Sequence, residues 1–262
     1  MTAIAYDRRQ RLLAVGYGLL CHALFAVAVI AMVVGLYTGL DTGLGRLEGR
    51  AGLLADLALA LQFPLLHSLF LSRRGRRALN ALAPAGLGNS LATTTYVGFA
   101  SLQLLLVFLL WSPSRLVLWE ATGWVRHASQ ALYGLSWVLV AKTMRDAGLG
   151  VQLGTLGWTS VARCRAPRYG GFPQQGSFRY CRQPVYAAFA LTLWTGPVVS
   201  ADRLLLAGLW TGYCLAGPLL KERRYLERYG EAFRSYQERV PFMIPRLRAA
   251  VRAPRALAEA TR

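Results

Sequence analysis

Apolar runs of about twenty residues recur along this chain, and they leave few folds open to it. Segments 12–40, 51–71 and 91–111 are nearly continuous in hydrophobic side chains and are flanked by arginine clusters. The hydrocarbon core of a bilayer takes about 20 residues of helix. Inside it every backbone N–H and C=O must be paired within the protein, so only helices or closed barrels cross. The first run is too long for a signal peptide, whose apolar stretch is roughly 7–15 residues, and no convincing cleavage site precedes Asp41. A fourth run, 128–144, is shorter and stops at Lys142 and Arg145. Two more, 184–199 and 204–220, are joined by SADR (200–203), a connection that forces antiparallel neighbours, and Pro197 and Pro218 are expected to bend or end their helices. The charged fraction, 16%, is low against roughly 25% for soluble domains. The expected fold class is all-α: a polytopic integral membrane helical bundle of about six hydrophobic segments, ending in a helical hairpin and an amphipathic tail helix.

The formal net charge of +18 first suggests nucleic acid. Its distribution argues against that. The basic residues crowd into the N-terminus (Arg8, Arg9, Arg11), the loop after the second run (Arg73, Arg74, Arg76, Arg77), the stretch after the fourth (Arg163, Arg165, Arg168) and the C-terminal block. With six crossings all of these fall on one side, and the positive-inside rule makes that side, with both termini, cytoplasmic. The charge then serves orientation and attraction to anionic membrane lipids. A basic–aromatic platform for single strands is absent, so no nucleic-acid partner is expected. Only Lys142 and Lys221 among 30 basic residues are lysine, a bias typical of G+C-rich bacterial coding, which points to a bacterial inner membrane.

The chain divides into N-terminal transmembrane helices (1–147), a glycine- and arginine-rich stretch expected as a cytosolic or interfacial loop with one interfacial helix (148–178), a C-terminal core (179–248) and a flexible basic tail (249–262). The four cysteines form no CxxC pair and have no histidine at metal-ligand spacing, so neither a disulfide scaffold nor a metal site is expected. No internal repeat and no run of intramembrane acids is visible, which weakens a transporter reading. Asp56, deep in the second run, is expected to be protonated or paired with Gln103.

Chemistry concentrates in two polar blocks that bracket the hairpin. RYCRQPVY (179–186) precedes it, and KERRYLERYGEAFRSYQERVPFMIP (221–245) follows it. A hairpin returns both blocks to one membrane surface. Pro184 suits a first helical position, the free N–H groups of that helix end favour an anion, and Arg182 and Arg179 add charge-assisted donors. Glu222, where the second hairpin helix leaves the membrane, can face the same pocket. Tyr225, Tyr229, Phe233 and Tyr236 offer aromatic surface along an amphipathic helix. His67, beside Ser68 at the same end of the second run, is a candidate acceptor contact together with Arg179. A structural hydrogen bond is the competing reading of that histidine.

The ordered set RYCRQPVY (179–186), ERRYL (222–226), YGEAFRSY (229–236) and VPFMIP (240–245) resembles the isoprenylcysteine carboxyl methyltransferase and phospholipid methyltransferase superfamily. Upstream, LLHSLFLSRRGRRALNALAP (65–84), TTYVGFASLQLLLVFLLWSP (94–113) and LTLWTGPVVSADRLLLAGLWTGYCL (191–215) look like its methanethiol S-methyltransferase branch. The resemblance implies methyl transfer from S-adenosylmethionine, held by Arg182, Gln183, Pro184, Tyr186 and Glu222, with Tyr229 and Tyr236 as further contacts. The acceptor, a small-molecule or lipid-like thiol or carboxylate, would enter from the bilayer. Gln183 stands where the family pattern has histidine. Glutamine can hydrogen-bond but cannot titrate near neutral pH. The branch also carries a histidine after its fourth helix, and MRDAGLGVQLG (144–154) has none. Two other functions compete: a non-catalytic membrane scaffold of the same superfamily, and a membrane reductase using a nicotinamide, for which no GxGxxG signal is present.

Overall fold

The structure is a computed structural model that describes residues 5–246. The basic tail expected at 249–262 lies outside the described residues. Helix α1 (Arg8–Tyr37) opens on a capping box: the Asp7 carboxylate accepts from the Gln10 N–H at 2.7 Å, and the Gln10 side chain accepts from the Asp7 N–H at 3.1 Å. It is followed by α2 (Gly49–Phe70), the arginine-rich α3 (Arg73–Leu82) and α4 (Gly88–Leu110). A short strand β1 (Val117–Glu120) leads into α5 (Gly123–Asp146). Then come α6 (Leu149–Gln152), α7 (Thr155–Ala162), a 3-10 turn at Gly176–Arg179 and α8 (Pro184–Trp194). Strand β2 (Val198–Ser200), α9 (Ala201–Tyr229) and α10 (Glu231–Arg239) complete the order.

Among the described residues four helices, α1, α2, α4 and α9, are long and apolar enough to cross a membrane. Leu20, Ile30, Leu54, Leu65, Leu135 and Val138 are all exposed, a density of large apolar side chains that suits lipid rather than water. The inward faces meet in one core built around Leu36, Phe108, Trp111, Leu193, Leu206 and Trp210. Trp210 lies at its centre, and its indole N–H donates to the Ala60 carbonyl at 2.9 Å, which locks α9 to α2.

The hairpin differs in detail from expectation. At 1.5 Å per residue the 11 residues of α8 span only about 16 Å, short of a hydrocarbon core of about 30 Å. The extended chain after it makes up the difference. Its strand β2 pairs antiparallel with β1, opposing Val117 to Ser200 and Glu120 to Val198. Because β1 follows the end of α4, the hairpin tip reaches the end of the bundle opposite to the polar motifs. SADR is therefore not a loop: Ser200 caps α9 by accepting from the Arg203 N–H at 3.0 Å, and Asp202 and Arg203 are buried in its first turn. Pro218 does not end α9 either. The helix runs through it for 29 residues, about 44 Å, so a helix that enters at Ala201 leaves the apolar layer near Leu220 and carries 221–229 beyond it.

Two other expectations change. Asp56 accepts the Ser112 backbone N–H at 2.9 Å, while Gln103 pairs with Gln62. The stretch after α5 is more than a surface loop, since α7 is wedged between α1 and α4. The Trp158 ring covers Gly18, where any Cβ would stand 2.4 Å from it, and its indole N–H donates to His22 at 3.0 Å.

Candidate functional site

The two polar blocks meet at one end of the bundle, and backbone bonds tie them first. The Arg182 N–H donates to the Pro241 carbonyl at 2.9 Å, Gln183 to Phe242 at 3.1 Å, and Arg246 to Tyr180 at 3.1 Å. VPFMIP thus lies alongside RYCRQP like a strap. The two prolines in VPFMIP explain the geometry, because the chain after α10 cannot continue as helix and has no N–H to give at those positions.

Side chains then lock the strap to α9. Arg182 Nε donates to Glu222 Oε1 at 2.9 Å and Nη2 to Oε2 at 3.2 Å, a two-point guanidinium–carboxylate pair. Its remaining nitrogen donates to the Gln237 and Val240 carbonyls at 2.8 and 2.7 Å, which close the end of α10. Gln183 donates to Glu222 Oε1 and Gln237 to Oε2, both at 2.7 Å. The Glu222 carboxylate therefore accepts four hydrogen bonds, as many as its lone pairs allow. Burial acts to raise its pKa, but the bonds from Arg182, Gln183 and Gln237 prevail and hold it below the usual range. Pro184 occupies the first turn of α8, as its sequence position predicts.

Beside this saturated carboxylate stands Lys221. Its ammonium donates to Gln183 Oε1 at 3.2 Å and lies 5.9, 5.7 and 5.6 Å from the ring centres of Phe178, Tyr186 and Tyr225. Burial, with the nearby charge of Arg224, pushes its pKa down to about 8 against the opposing pull of Glu222.

An aromatic path leads from here into the apolar layer. The Tyr186 and Tyr213 rings are 6.4 Å apart, and Tyr213 is 6.4 Å from His67. The His67 ring also packs on Tyr96 at 5.0 Å and Phe63 at 5.2 Å. The backbone carbonyl of His67 accepts from the Tyr96 hydroxyl at 3.3 Å, but its Nδ1 is buried and makes no hydrogen bond among the described residues. That is not the satisfied structural histidine of the competing reading.

The residues singled out in the sequence separate into three groups. Arg182, Gln183, Pro184, Tyr186 and Glu222 come together at one place, with His67 at the far end of the aromatic path. Tyr229 and Tyr236 belong to a neighbouring cluster with Phe172 and Phe233 that seats α10 on α9. There the Phe172 ring is 5.1 Å from Tyr229 and 5.4 Å from Tyr236, whose hydroxyl donates to the Phe178 carbonyl at 2.7 Å. Arg179 is exposed on the 3-10 turn. Sequence reasoning missed Gln237, Phe178, Tyr96 and Tyr213, which carry no signal beyond lying on apolar or amphipathic helices and turns. It also passed over Lys221, although a lone lysine in an arginine-dominated block is a visible anomaly. Among the described residues no group of His, Cys, Asp and Glu could hold a metal ion. A polar cavity of about 720 Å³ lies at the opposite end, lined by Asp41, Arg46, Asp56, Ser112, Ser114 and Asp202. Its two innermost carboxylates are already engaged, Asp56 by Ser112 and Asp202 by Ser114.

An apolar helical bundle whose final hairpin and tail strap fold back on an arginine–carboxylate node is an integral membrane protein, and its motifs resemble those of the isoprenylcysteine carboxyl methyltransferase-like superfamily. The relatives agree. A protein named methanethiol S-methyltransferase from a Pseudomonas species is 29% identical over 194 residues, 74% of this chain and 73% of that protein. Methanethiol S-methyltransferase 1 of Bradyrhizobium diazoefficiens is 28% identical over 234 residues, covering 87% and 81%. Nurim of Rattus norvegicus, a name that states no reaction, is 30% identical over 177 residues, covering 62% and 64%. No family-level sequence profile matches the chain, and no solved structure matches it. The similarities support a methyltransferase enzyme.

Proposed function

We propose that the protein transfers the methyl group of S-adenosylmethionine to the sulfur of a small or lipophilic thiol, a carboxylate being the other acceptor this chemistry accommodates. The observation that carries the reading is the joining of the two motif blocks through Arg182, Gln183 and Glu222, in a chain whose relatives are named methanethiol S-methyltransferase. On this reading both termini and the motif end face the cytoplasm of a bacterial inner membrane, where the soluble donor is available.

The residues present fit such a donor. Phe178, Tyr186 and Tyr225 give ring faces able to receive a cationic ligand, and Arg224 is a cation able to hold a carboxylate. Arg182, Gln183, Pro184 and Glu222 form the wall, and Tyr229 and Tyr236 steady it through α10. Bound S-adenosylmethionine supplies a methyl group already activated by its sulfonium. The chain then has to bind, orient and keep out water, which together are worth several kcal/mol. A thiol that ionises needs no strong base. The aromatic path from Tyr186 to His67 runs from the site toward the apolar layer, the side from which a lipophilic acceptor would come, and the unpaired Nδ1 of His67 suits a weak S–H donor.

Transfer of labelled methyl from S-adenosylmethionine by detergent-purified protein, over a panel of alkyl thiols, prenylcysteines, fatty acids and phospholipids, tests the reading. The expected result is turnover with thiols that is lost in Arg182→Ala. Turnover with phospholipids alone overturns the acceptor class. Absence of both turnover and donor binding overturns the enzyme. That last outcome is the one expected of a scaffold, a reading favoured by the saturated Glu222 carboxylate.

A further inference from the structure

Lys221 is the residue that the arrangement of the motif end leaves unexplained. The only other lysine of the chain, Lys142, pairs with Asp146 at 2.6 Å. Lys221 has no such carboxylate among the described residues, because the adjacent Glu222 gives its oxygens to Arg182, Gln183 and Gln237. An unpaired charge taken out of water is expensive unless something else compensates it. Apart from the single hydrogen bond to Gln183 Oε1 at 3.2 Å, the compensation here is aromatic. Three rings from three separate elements, Phe178 on the 3-10 turn, Tyr186 on α8 and Tyr225 on α9, face one nitrogen at 5.6 to 5.9 Å. Ring faces carry negative charge density, and several of them around one cation make the aromatic cage that recognises onium groups. Such a cage selects for a compact positive charge that needs few hydrogen bonds. An ammonium on a flexible four-carbon stem meets that description and can also withdraw.

Resting on the methyltransferase reading, we propose that Phe178, Tyr186 and Tyr225 form the seat of the donor's sulfonium and that the Lys221 ammonium fills this seat as an internal surrogate until the donor displaces it. The pairing has a consequence for turnover. Methyl transfer converts the sulfonium to a neutral thioether, which the cage no longer attracts. Lys221 can then return and favour release of the product. The seat thus distinguishes donor from product by charge, at a point where the two differ by one methyl group.

The experiment measures binding of three ligands to the detergent-solubilised full-length chain by titration calorimetry. They are S-adenosylmethionine (a sulfonium), sinefungin (an amine at the corresponding position) and S-adenosylhomocysteine (a neutral thioether). Wild type is expected to bind both cations roughly tenfold more tightly than the thioether, in keeping with several ring contacts to one charge. Tyr225→Leu is expected to bring the three affinities together by weakening the cations alone. Lys221→Met, which removes the surrogate, is expected to tighten the cations severalfold and leave the order unchanged. Thermal melting identifies any variant that fails to fold, and Tyr186→Leu repeats the cage test from another helix. Equal affinities in wild type remove the cage and leave the methyltransferase reading standing. Weaker binding of all three ligands by folded Lys221→Met makes Lys221 a contact for the ligand's carboxylate and overturns the surrogate. If monodisperse wild type binds none of the three, the methyltransferase reading falls first, and the cage with it.

Discussion

Two arginines mark the two ends of this bundle, Arg203 buried and Arg182 partly so, and they are satisfied in opposite ways. Arg203, at the hairpin tip, donates to the carbonyls of Leu193, Thr195 and Val198. All three acceptors lie within ten residues of it, so Arg203 ties one turn of chain to itself. Gly196, at φ +128°, passes so close to the guanidinium that a Cβ there would stand 3.0 Å from it. Arg182, at the motif end, spans 40 residues to Glu222 and 58 to Val240. It needs α9, the end of α10 and the strap to be in place before all of its bonds exist. The first arginine belongs to the hairpin as a unit of folding. The second belongs to an assembly of distant segments, and beside it remain groups that the fold does not use up, Lys221 with its rings and the Nδ1 of His67. Stability is local at one end, and the candidate chemistry depends on tertiary contact at the other.

Substitution at the two nodes can break this contrast. Arg203→Met should have the largest effect on folding. It strands several buried carbonyls, each worth about 1–3 kcal/mol when unsatisfied, and should abolish recovery of monodisperse protein, with donor binding lost only as a result. Glu222→Gln keeps the volume but leaves the Arg182 charge buried without its partner. A loss of about 3–5 kcal/mol in detergent melts is expected, with methyl transfer abolished even at temperatures where the variant is folded. If Glu222→Gln melts like wild type and keeps its turnover, the node at the motif end is as local as the one at the tip, and the contrast fails.

Smaller effects sharpen it. His67→Phe keeps the ring packing with Phe63, Tyr96 and Tyr213 and removes the free nitrogen. The KM for a thiol should rise roughly tenfold, about 1.4 kcal/mol, with donor affinity unchanged. Equal changes in both would move His67 from the acceptor to the donor side. The smallest effect is at Asp146, where α5 meets the 3-10 turn that carries Phe178. Burial acts to raise its pKa, but Lys142 and the Ser177 N–H together bring it down to about 2 from 3.8. A carboxylate depressed in the folded state stabilises above its unfolded pKa, and that contribution fades as pH falls from near 4 to near 2. With Lys142 largely exposed, the contribution is about 1 kcal/mol. Asp146→Asn should therefore lower the melting temperature by a few degrees at pH 7 and match wild type at pH 2. A deficit unchanged at pH 2 assigns the effect to lost hydrogen bonds rather than to charge.

Much of this was legible before any coordinates. Hydrophobic runs gave the spanning helices because a bilayer admits only internally paired backbone, and the helical run and Pro184 marked where α8 begins. The motif blocks told which residues converge, since a hairpin must return them to one surface. The hairpin tip was misread. The boundary between strand and helix there depends on β1, which lies 80 residues away and cannot be seen in SADR. Of the two outcomes expected at Pro218, a bend or an end, the end does not occur, because packing against α2 and α8 sustains a helix that proline alone would weaken. Of the two readings of Asp56, protonated or paired with Gln103, the pairing fails, because a backbone N–H from another loop takes that place.

The sequence by itself determined that the chain crosses a membrane, which residues form the arginine–glutamine–glutamate constellation, and which superfamily the constellation resembles. The first follows from composition and periodicity, the second from a hairpin that returns two polar blocks to one surface, and the third is a resemblance carried by the ordered motifs. Only the tertiary structure decided that Glu222 is saturated by Arg182, Gln183 and Gln237, that Lys221 has ring faces in place of a counter-ion, and that the His67 nitrogen is unpaired. Whether a polar group is satisfied depends on every atom that reaches it, and those atoms come from segments the chain brings together only on folding.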